Sequence, residues 1–451
     1  MSSKVRATLN RRQFNTTVSA GLGMFAIPTL VSSSALADAA SVSPNSKIRL
    51  GIIGCNGMGA HNLGNCAKHP GIEVRAICDV SKERRETQAA KYPGAKTFND
   101  FREMLDAKLI DACIVASPPH WHCLHAIAVL EAGLDLYLQK PMTLHLAESL
   151  AVKNAVKKTG RICQVGTQIH ASENYRRVVE KVQAGVLGSV SVARTFNVQN
   201  QGPGGIGTGF DGPVPEGVDW QLWLGPGPDR NFNQKLYAGS FEHGSFMAYS
   251  GGWTPNMAPH IVDLPVWAMN LQYPTMVSCS GGRYVIKDDG DAPDVQEMTF
   301  SYPNATLTWS MSCINSYAFD LGSGTPARRL GIYFMGDKAT MWANYAKHEI
   351  IGEGDFFDPA IEPDVQIPPS NGHEIEWVDC VYSRKQPSCT PEYHCRVDIP
   401  LVLGNLAMKL GRSIRFDPQS LRILDDPAAE AAAIPQYCHG WKFPAQYLDW
   451  K

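Results

Sequence analysis

The sequence lacks several features that mark common protein classes. Its 41 basic and 43 acidic side chains leave a net charge of −2 over 451 residues. No strong positive field for nucleic acid is therefore expected. The twelve cysteines include no C-x-x-C pair and no zinc-type spacing, so no metal site is predicted. Internal repeats and low-complexity segments are also missing, and the length is sufficient for two or three domains.

Most cysteines lie within predicted strands or helices, where a thiol packs as a small apolar group. Cys78, Cys113 and Cys163 are examples. Four other cysteines in the C-terminal region allow one disulfide, but the sequence does not predict which two would pair: Cys380, Cys389, Cys395 and Cys438.

The sequence also has no apolar run that makes a convincing membrane span. Arg11 and Arg12 precede a mildly apolar run at residues 18–31, which glycine and proline interrupt. Small residues then suit cleavage after Ala37. This order predicts a Tat export signal over residues 1–37, rather than a disordered arm, and a periplasmic protein that engages the Tat translocon. An uncleaved signal would instead anchor the protein to the membrane.

A glycine-rich turn follows the first predicted strand, in the sequence KIRLGIIGCNGMGAHNLGNC at residues 47–66. Strand, glycine turn and helix in this order bind a pyrophosphate on backbone N–H groups. Asparagine, which tolerates a left-handed φ, stands at the second glycine position of G-x-G-x-x-G. The predicted cofactor contacts are Gly54, Asn56, Gly57, Met58 and Gly59.

An acidic residue ends the second predicted strand. Asp79 follows Gly59 at the spacing of about 20 residues at which a Rossmann carboxylate binds the adenosine ribose hydroxyls. A carboxylate repels a 2′-phosphate, so NAD is favoured over NADP, although Arg84 lies nearby. Alternatively, Asp79 simply caps the helix that begins near Ser81.

Strands and helices continue to alternate, which predicts a doubly wound parallel sheet over residues 47–170. Ligands bind such sheets at the carboxyl ends of the strands. Five residues there are predicted to contact the cofactor: Ser117, Pro118, His122, Gln139 and Lys140. His120, His122 and His125 do not share one helical face, so they do not predict zinc.

Lys140 follows an apolar strand and precedes a proline, beside the expected nicotinamide position. Partial desolvation and a nearby positive ring lower the pKa of a lysine, which suits it to proton transfer. The alternative is a strand-end lysine that reaches for water.

These motifs together resemble the Gfo/Idh/MocA family (glucose–fructose oxidoreductase/inositol dehydrogenase). The matching segments are GIIGCNGMGAH, ICDV, VASPPHWH, the run ending in QKP at Pro141, and QVGTQ ending at Gln168. The resemblance implies a catalytic role for Lys140 and a cofactor or substrate contact for Gln168. Gln139 replaces the glutamate that usually precedes this lysine, which removes one charged partner.

A second signature spans residues 250–263, SGGWTPNMAPHIVD. The resemblance implies that His260 is the acid/base at the oxidised carbon. Asp263 lies one helical turn further on, where it can orient or support the histidine. Asn256 stands where the family signature has an aspartate. It is predicted to be one of the catalytic residues, with its side chain hydrogen-bonded to a substrate hydroxyl. The candidate substrate contacts are Gln168, Trp253, Asn256 and Asp263.

Residues 171–451 are expected to form an α+β domain with a large, mainly antiparallel open sheet, because period-two alternation begins near Tyr273. Helices within residues 374–410 are expected to pack back on the first domain. The resemblance implies a homodimer or homotetramer. In the long loop at residues 199–246, Trp220 and Trp223 either stack on a sugar or hold the loop in place.

The expected function is an exported NAD(P)-dependent oxidoreductase that acts on a secondary hydroxyl of a sugar, sugar alcohol or glycoside. Export favours a tightly bound cofactor, since little free NAD is available outside the cytoplasm. The first alternative is a redox-neutral glycoside hydrolase or lyase that acts through a keto-sugar. The second alternative is a non-catalytic carbohydrate- or cofactor-binding protein. Gln139 and Asn256 support this alternative because both are amides at positions where the family often has acids.

Overall fold

The N-terminal part of the molecule is built on a parallel sheet. The computed structural model describes residues 47–238, 240–317 and 327–450, so the predicted signal at residues 1–37 lies outside the described residues. The strands are β1 (Ile48–Ile53), β2 (Ile72–Cys78), β3 (Lys96–Phe98), β4 (Ala112–Val115), β5 (Asp135–Leu138) and β6 (Cys163–Val165). Their order is β3-β2-β1-β4-β5-β6, and every neighbouring pair is parallel. The predicted doubly wound sheet is confirmed.

Helices cover both faces of this sheet, which explains why β4 is apolar throughout and β1 is apolar except at Arg49. They are α1 (Met58–Cys66), α2 (Lys82–Ala89), α3 (Phe101–Asp106), α4 (His122–Glu131) and α5 (Leu146–Thr159). Leu50 and Ile52 pack into the core on one face, while Ile53 and Val115 pack into the core on the other. The strand order reverses between β1 and β4, so a crevice forms at their carboxyl ends.

A second, mixed sheet follows. Its strands are β7 (Val190–Val198), β8 (Met276–Gly282), β9 (Val295–Ser301), β10 (Thr306–Ser312), β11 (Arg329–Gly336), β12 (Ala339–Ala343), β13 (His348–Gly352), β14 (Ile414–Asp417) and β15 (Arg422–Ile423). The order is β13-β12-β11-β7-β10-β9-β8-β14-β15. Only the pair of β7 and β10 is parallel among the described strand pairs of this sheet.

The predicted hairpins are present, but β7 separates them. β9 and β10 pair with each other, as do β11 and β12, whereas β7 lies between β10 and β11. Alternation along β10 buries Leu307, Trp309 and Met311 on one face. Alternation identifies the face that a residue occupies but not the neighbouring strand, which is why the sequence predicted the mainly antiparallel sheet and missed the insertion of β7.

The remaining helices connect the two sheets. They are α6 (Glu173–Gln183), α7 (Trp220–Leu224), α8 (Gln234–Ala238), α9 (Ser240–His243), α10 (Met247–Ser250), α11 (Trp253–Met257), α12 (Pro259–Ala268), α13 (His373–Ser383), α14 (Pro391–Leu410) and α15 (Pro427–Ala432). Helix α14 packs against both α5 and β8, and α13 packs against α1. Trp377 of α13 is fully buried in the core that contains Leu50.

Residues 199–246, which we call the covering segment, include α7, α8 and α9 rather than a plain loop. None of the described helices is long and apolar enough to cross a membrane. All twelve cysteines lie in the described part of the chain and are free thiols, so the late disulfide that the sequence left open is not formed.

Candidate active site

The glycine turn between β1 and α1 has no room for a side chain at Gly54 or Gly59. Gly54 and Gly57 have φ values of 84° and 49°, a region that favours glycine. A Cβ at Gly54 would lie 2.6 Å from the carbonyl oxygen of Ala116, and a Cβ at Gly59 would lie 2.0 Å from the carbonyl oxygen of Gly54. The start of α1 can therefore approach a phosphate with its backbone N–H groups.

A cleft opens where the parallel strands end. The predicted site residues that line it are Gly54, Asn56, Gly57, Met58, Asp79, Ser117, Pro118, His122, Gln139, Lys140 and Asn256. Within the described part of the chain, the lining does not include five other predicted residues: Gly59, Gln168, Trp253, His260 and Asp263. The glycine turn, the acidic strand end and the lysine are thus brought to one cavity from distant positions in the sequence.

Asp79 is held rigidly at the end of β2. Its Oδ2 accepts a hydrogen bond from the backbone N–H of Cys55 at 3.0 Å, and its Oδ1 accepts one from Ser81 N–H at 2.9 Å. The residue is 8% exposed and borders the cleft. Oδ2 also accepts a hydrogen bond from Cys55 Sγ at 3.5 Å, whereas Oδ1 keeps a second lone pair, so Asp79 can also accept a hydrogen bond from a ribose hydroxyl.

Two residues beside Asp79 were not predicted to contact the cofactor. The guanidinium of Arg84 lies 3.9 Å from the ring centroid of Tyr237, and its Nη2 donates to the Tyr237 carbonyl oxygen at 3.2 Å. Both residues line the cleft. Tyr237 belongs to the covering segment. No motif or periodicity around this tyrosine in the sequence predicted that it would lie at the cleft.

The covering segment closes the cleft on the Asp79 side. It contributes Leu222, Trp223, Leu236, Tyr237 and His243 to the lining. The Trp220 and Trp223 rings stack on each other at 4.5 Å, and the Trp223 carbonyl oxygen accepts a hydrogen bond from the Trp121 indole at 3.0 Å. Both indoles are buried. Trp220 and Trp223 therefore anchor the segment over the cleft, which favours the second of their two predicted roles.

His243 supplies an acceptor at the cleft. Burial lowers its pKa to about 4, so the ring is neutral at pH 7, and Nδ1 lies 3.2 Å from the Leu236 carbonyl oxygen. Because Nδ1 must donate to that carbonyl, Nε2 carries a lone pair. Nε2 is buried without a partner. This orphaned acceptor, the tight glycine turn and the fixed Asp79 carboxylate fit a dinucleotide that donates hydroxyl or amino groups.

His122 connects the ends of β4 and β5. Its Nε2 lies 2.8 Å from the Ser117 carbonyl oxygen, and its Nδ1 lies 2.6 Å from that of Pro141. Burial lowers the pKa of His122 to about 4, so a neutral ring donates to one carbonyl at a time. Both nitrogens are engaged with the backbone, which indicates that His122 positions the Ser117 and Pro141 loops.

Gln139 occupies the middle of a buried amide chain. Its Nε2 donates to Asn62 Oδ1 at 2.8 Å, while Asn62 Nδ2 donates to Glu374 Oε1 at 2.6 Å. Gln139 Oε1 in turn accepts from the backbone N–H of Lys140 at 2.9 Å. A carboxylate is thus present near the lysine, but it is supplied by α13 and is separated from the lysine by two amides.

Lys140 projects toward α11. Its Nζ donates to the carbonyl oxygen of Asn256 at 2.8 Å and to the side-chain Oδ1 at 3.0 Å. Burial lowers the pKa of Lys140 to about 8. The peptide between Lys140 and Pro141 is cis. A partly desolvated amine with a pKa near neutrality can both donate and accept a proton.

His260 lies in the first turn of α12, just after the helix that carries Asn256. Burial, together with the positive charge of Lys140, lowers the pKa of His260 well below its usual range. The ring is therefore neutral at pH 7 and can accept a proton. Its half-buried side chain lies outside the cleft lining.

The other predicted substrate residues are placed differently. Trp253 is 1% exposed and packs in the core rather than in the cleft. Asp263 is fully buried, and its Oδ1 interacts with Tyr393 Oη at 2.5 Å and His170 Nε2 at 3.3 Å. Its hydrogen bonds therefore lead away from His260. Gln168 begins a short 3₁₀ turn, Gln168–Ala171, outside the cleft lining.

Fold and site together define a two-domain protein with a Rossmann domain whose cleft meets a helix of a second, sheet-based domain. Residues 48–167 match the family model GFO_IDH_MocA, described as an oxidoreductase family with an NAD-binding Rossmann fold. The match covers the parallel-sheet part of the chain and does not reach the second sheet.

Curated relatives are similar over the same part of the chain. The scyllo-inositol 2-dehydrogenase (NAD(+)) of Bacillus subtilis is 30% identical over 158 residues, which are 35% of this chain and 46% of that protein. A glycosyl hydrolase family 109 protein of Shewanella sp. is 26% identical over 152 residues, 32% of this chain and 33% of that protein. The chain thus aligns with less than half the length of each.

Solved structures share the whole two-domain architecture. The WlbA dehydrogenase from Bordetella pertussis, solved in complex with NADH and UDP-GlcNAcA, superimposes with a TM-score of 0.62. The alignment covers 82% of this chain and 98% of that chain at 19% identity. At this identity the likeness defines the fold, which extends the similarity beyond residue 167 to the second sheet.

Proposed function

We propose that this protein is an NAD(H)-dependent oxidoreductase that acts on a secondary hydroxyl of a sugar, sugar alcohol or glycoside. The observation that carries the proposal is the position of Lys140. Its amine has a pKa lowered to about 8 and bonds to Asn256, just before His260, at the end of the dinucleotide cleft. The similarity to an inositol dehydrogenase and to a sugar-nucleotide dehydrogenase fold supports the substrate class.

Different cleft residues would bind different parts of the cofactor. The glycine turn and the start of α1 would hold the pyrophosphate, and Asp79 would bind the adenosine ribose, which favours NAD over NADP. His243 would accept a hydrogen bond on the same side. Bound NAD would take up or return the hydride. Leu222, Trp223 and Tyr237 lie over the cleft, which supports a cofactor that stays bound through many turnovers.

Lys140, Asn256 and His260 would act on the proton of the substrate hydroxyl. In its neutral form Lys140 would accept that proton, while Asn256 orients the amine and a neighbouring hydroxyl through its side-chain amide. The neutral imidazole of His260 is the second acceptor, because its depressed pKa keeps it unprotonated at pH 7. Gln168 is assigned to a substrate hydroxyl by family resemblance alone.

The test uses the purified mature protein. Denaturation should release close to one NAD(H) per chain, and addition of the correct polyol should change the nicotinamide absorbance of the native protein. Lys140→Met should lower kcat by about 10²–10⁴-fold, whereas Lys153→Met, which changes a lysine on α5 away from the cleft, should leave kcat unchanged. A Lys140→Met variant within a few-fold of the wild type would refute the assignment.

A redox-neutral glycoside hydrolase is the second candidate. The similarity to glycosyl hydrolase family 109 proteins favours it. In this reaction a keto group formed on the sugar acidifies the adjacent C–H, and elimination then removes the aglycone. Release of the aglycone from an aryl glycoside without net change in nicotinamide absorbance would establish this candidate. A protein that binds sugar and NAD without either reaction would instead be a binding protein.

We also propose that the protein is exported through the Tat pathway with its cofactor bound, and that it assembles as a homodimer or homotetramer. The twin arginines and Ala37 support export. Residues such as Met335 and Ile351 of the second sheet are exposed, 38% and 73% respectively, which is consistent with assembly through that sheet. Light scattering of the purified protein should give a mass of two or four chains.

A further inference from the structure

A buried cluster of three metal-binding residue types lies outside the cleft. Asp263 belongs to α12, Cys389 directly precedes the Thr390 N-cap of α14, and His394 lies in the first turn of α14. Each is 0% exposed. One ligand atom from each residue lies within 4.8 Å of the others, and Cys389 Sγ is 3.8 Å from His394 Nδ1.

One carboxylate oxygen in this cluster lacks a partner among the described residues. Asp263 Oδ1 interacts with both Tyr393 and His170, but Oδ2 has no hydrogen bond. Buried polar atoms without partners are rare because each carries a desolvation penalty of about 1–3 kcal/mol. An unpartnered carboxylate oxygen beside a buried thiol and imidazole therefore points to a missing ligand.

We propose that Asp263, Cys389 and His394 bind a divalent zinc-class ion. Thiolate, imidazole and carboxylate are the donors that zinc uses, and they supply three of its four tetrahedral positions. Zinc bond lengths of about 2.3 Å to sulfur and about 2.0 Å to nitrogen place those two donors about 3.6 Å apart in a tetrahedron. The separation of 3.8 Å between Cys389 Sγ and His394 Nδ1 fits this geometry.

The surroundings of Asp263 match those of a metal-bound carboxylate. Ligands in protein metal sites are usually oriented by hydrogen bonds to their second heteroatom. Here Tyr393 and His170 fix Oδ1 and leave Oδ2 free.

The ion joins the helix of the proposed proton acceptor to the helix that spans both sheets. Asp263 lies one turn after His260 on α12, while Cys389 and His394 flank the start of α14. The ion does not contact the cleft. It acts by fixing α12 against α14, and its three protein ligands are therefore positioning residues.

The experiment measures metal in the purified mature protein, expressed with zinc in the medium and handled under reducing conditions. We expect about one zinc per chain by elemental analysis. Cobalt exchanged into the site should show thiolate-to-cobalt charge-transfer absorption. Cys389→Ser should remove that absorption, and Cys395→Ser, which changes another buried thiol one turn into α14, should retain it.

A second variant covers the case in which Cys389→Ser does not fold. Tyr393→Phe removes only a hydrogen bond to Asp263 Oδ1, and it should keep the zinc but weaken its affinity about 10–100-fold against a chromophoric chelator. Folded wild-type protein that contains no zinc, and that takes up neither zinc nor cobalt, would overturn the proposal. None of these measurements depends on NAD or a sugar, so they are independent of the proposed activity.

Discussion

Gln139 shows how one residue changes the electrostatics of a lysine. A carboxylate next to Lys140 would stabilise its ammonium form, whereas the amide of Gln139 only passes hydrogen bonds from Lys140 through Asn62 to Glu374. The charge of Glu374 therefore acts on Lys140 from farther away. The lowered pKa of the amine follows from burial without a directly bonded carboxylate.

The first prediction exchanges this amide. Gln139→Glu places a carboxylate beside the Lys140 backbone and should raise the pKa of the amine by about one unit. The pH at which sugar oxidation reaches its plateau should rise accordingly. Gln164→Glu, a buried glutamine substitution in β6 that does not touch the cleft, serves as the control. An unchanged pH profile in Gln139→Glu would contradict the role assigned to Lys140.

The second prediction concerns the wild-type pH profile. The pKa of Lys140 is lowered to about 8, and in the proposed mechanism its neutral amine accepts the proton, so the active fraction should increase with pH. The kcat/KM for oxidation should rise about tenfold per pH unit below pH 8 and level off above it. His260 stays neutral over this range because its pKa lies far lower. Rapid-mixing or steady-state rates from pH 6 to 10 provide the measurement.

At the scale of elements, the parallel sheet and its cleft were predictable because each signal is local. The strand β1, the glycine turn and Asp79 follow one another within a short stretch, and hydrophobic runs identify buried strands. The covering segment was not predictable. Its contacts join Trp223 to Trp121 and Tyr237 to Arg84, and such distant pairs leave no periodic pattern in the sequence.

The position of β7 and the environment of Asp263 were missed for related reasons. The spacing from His260 suggested that Asp263 would support the histidine, since residues three apart share a helical face. The carboxylate instead bonds to Tyr393 and His170, which come from other elements. A single sequence shows which residues share a helical face, but it does not show which residues of other elements will form hydrogen bonds with them.

The third prediction tests the covering segment. Tyr237→Ala removes the ring that Arg84 contacts at the cleft, so bound NAD(H) should dissociate at least about tenfold faster, which corresponds to about 1.4 kcal/mol. Retention of cofactor after repeated gel filtration provides the measurement. Tyr345→Ala, which changes a tyrosine 41% exposed and outside the cleft lining, is the matched control. Equal retention in the two variants would refute a covering role.

At the scale of the whole molecule, the fourth prediction concerns export. Replacing Arg11 and Arg12 by lysine should retain the protein in the cytoplasm, because Tat signals require the arginine pair. Arg6→Lys, a conservative change outside the pair, should leave export unchanged. Cell fractionation followed by immunoblotting separates the outcomes, and mature protein in the periplasm of the double variant would exclude the Tat route.

The position of α13 and α14 affects the time at which the molecule can be completed. Trp377 and Glu374 are made late in translation, yet Trp377 fills a core against β1 and Glu374 bonds to Asn62 on α1. A ribosome that has released only the six parallel strands therefore holds a domain whose core behind β1 is incomplete. That core is completed only after α13 has left the ribosome. Under the proposed function, loading of NAD and export would follow this completion.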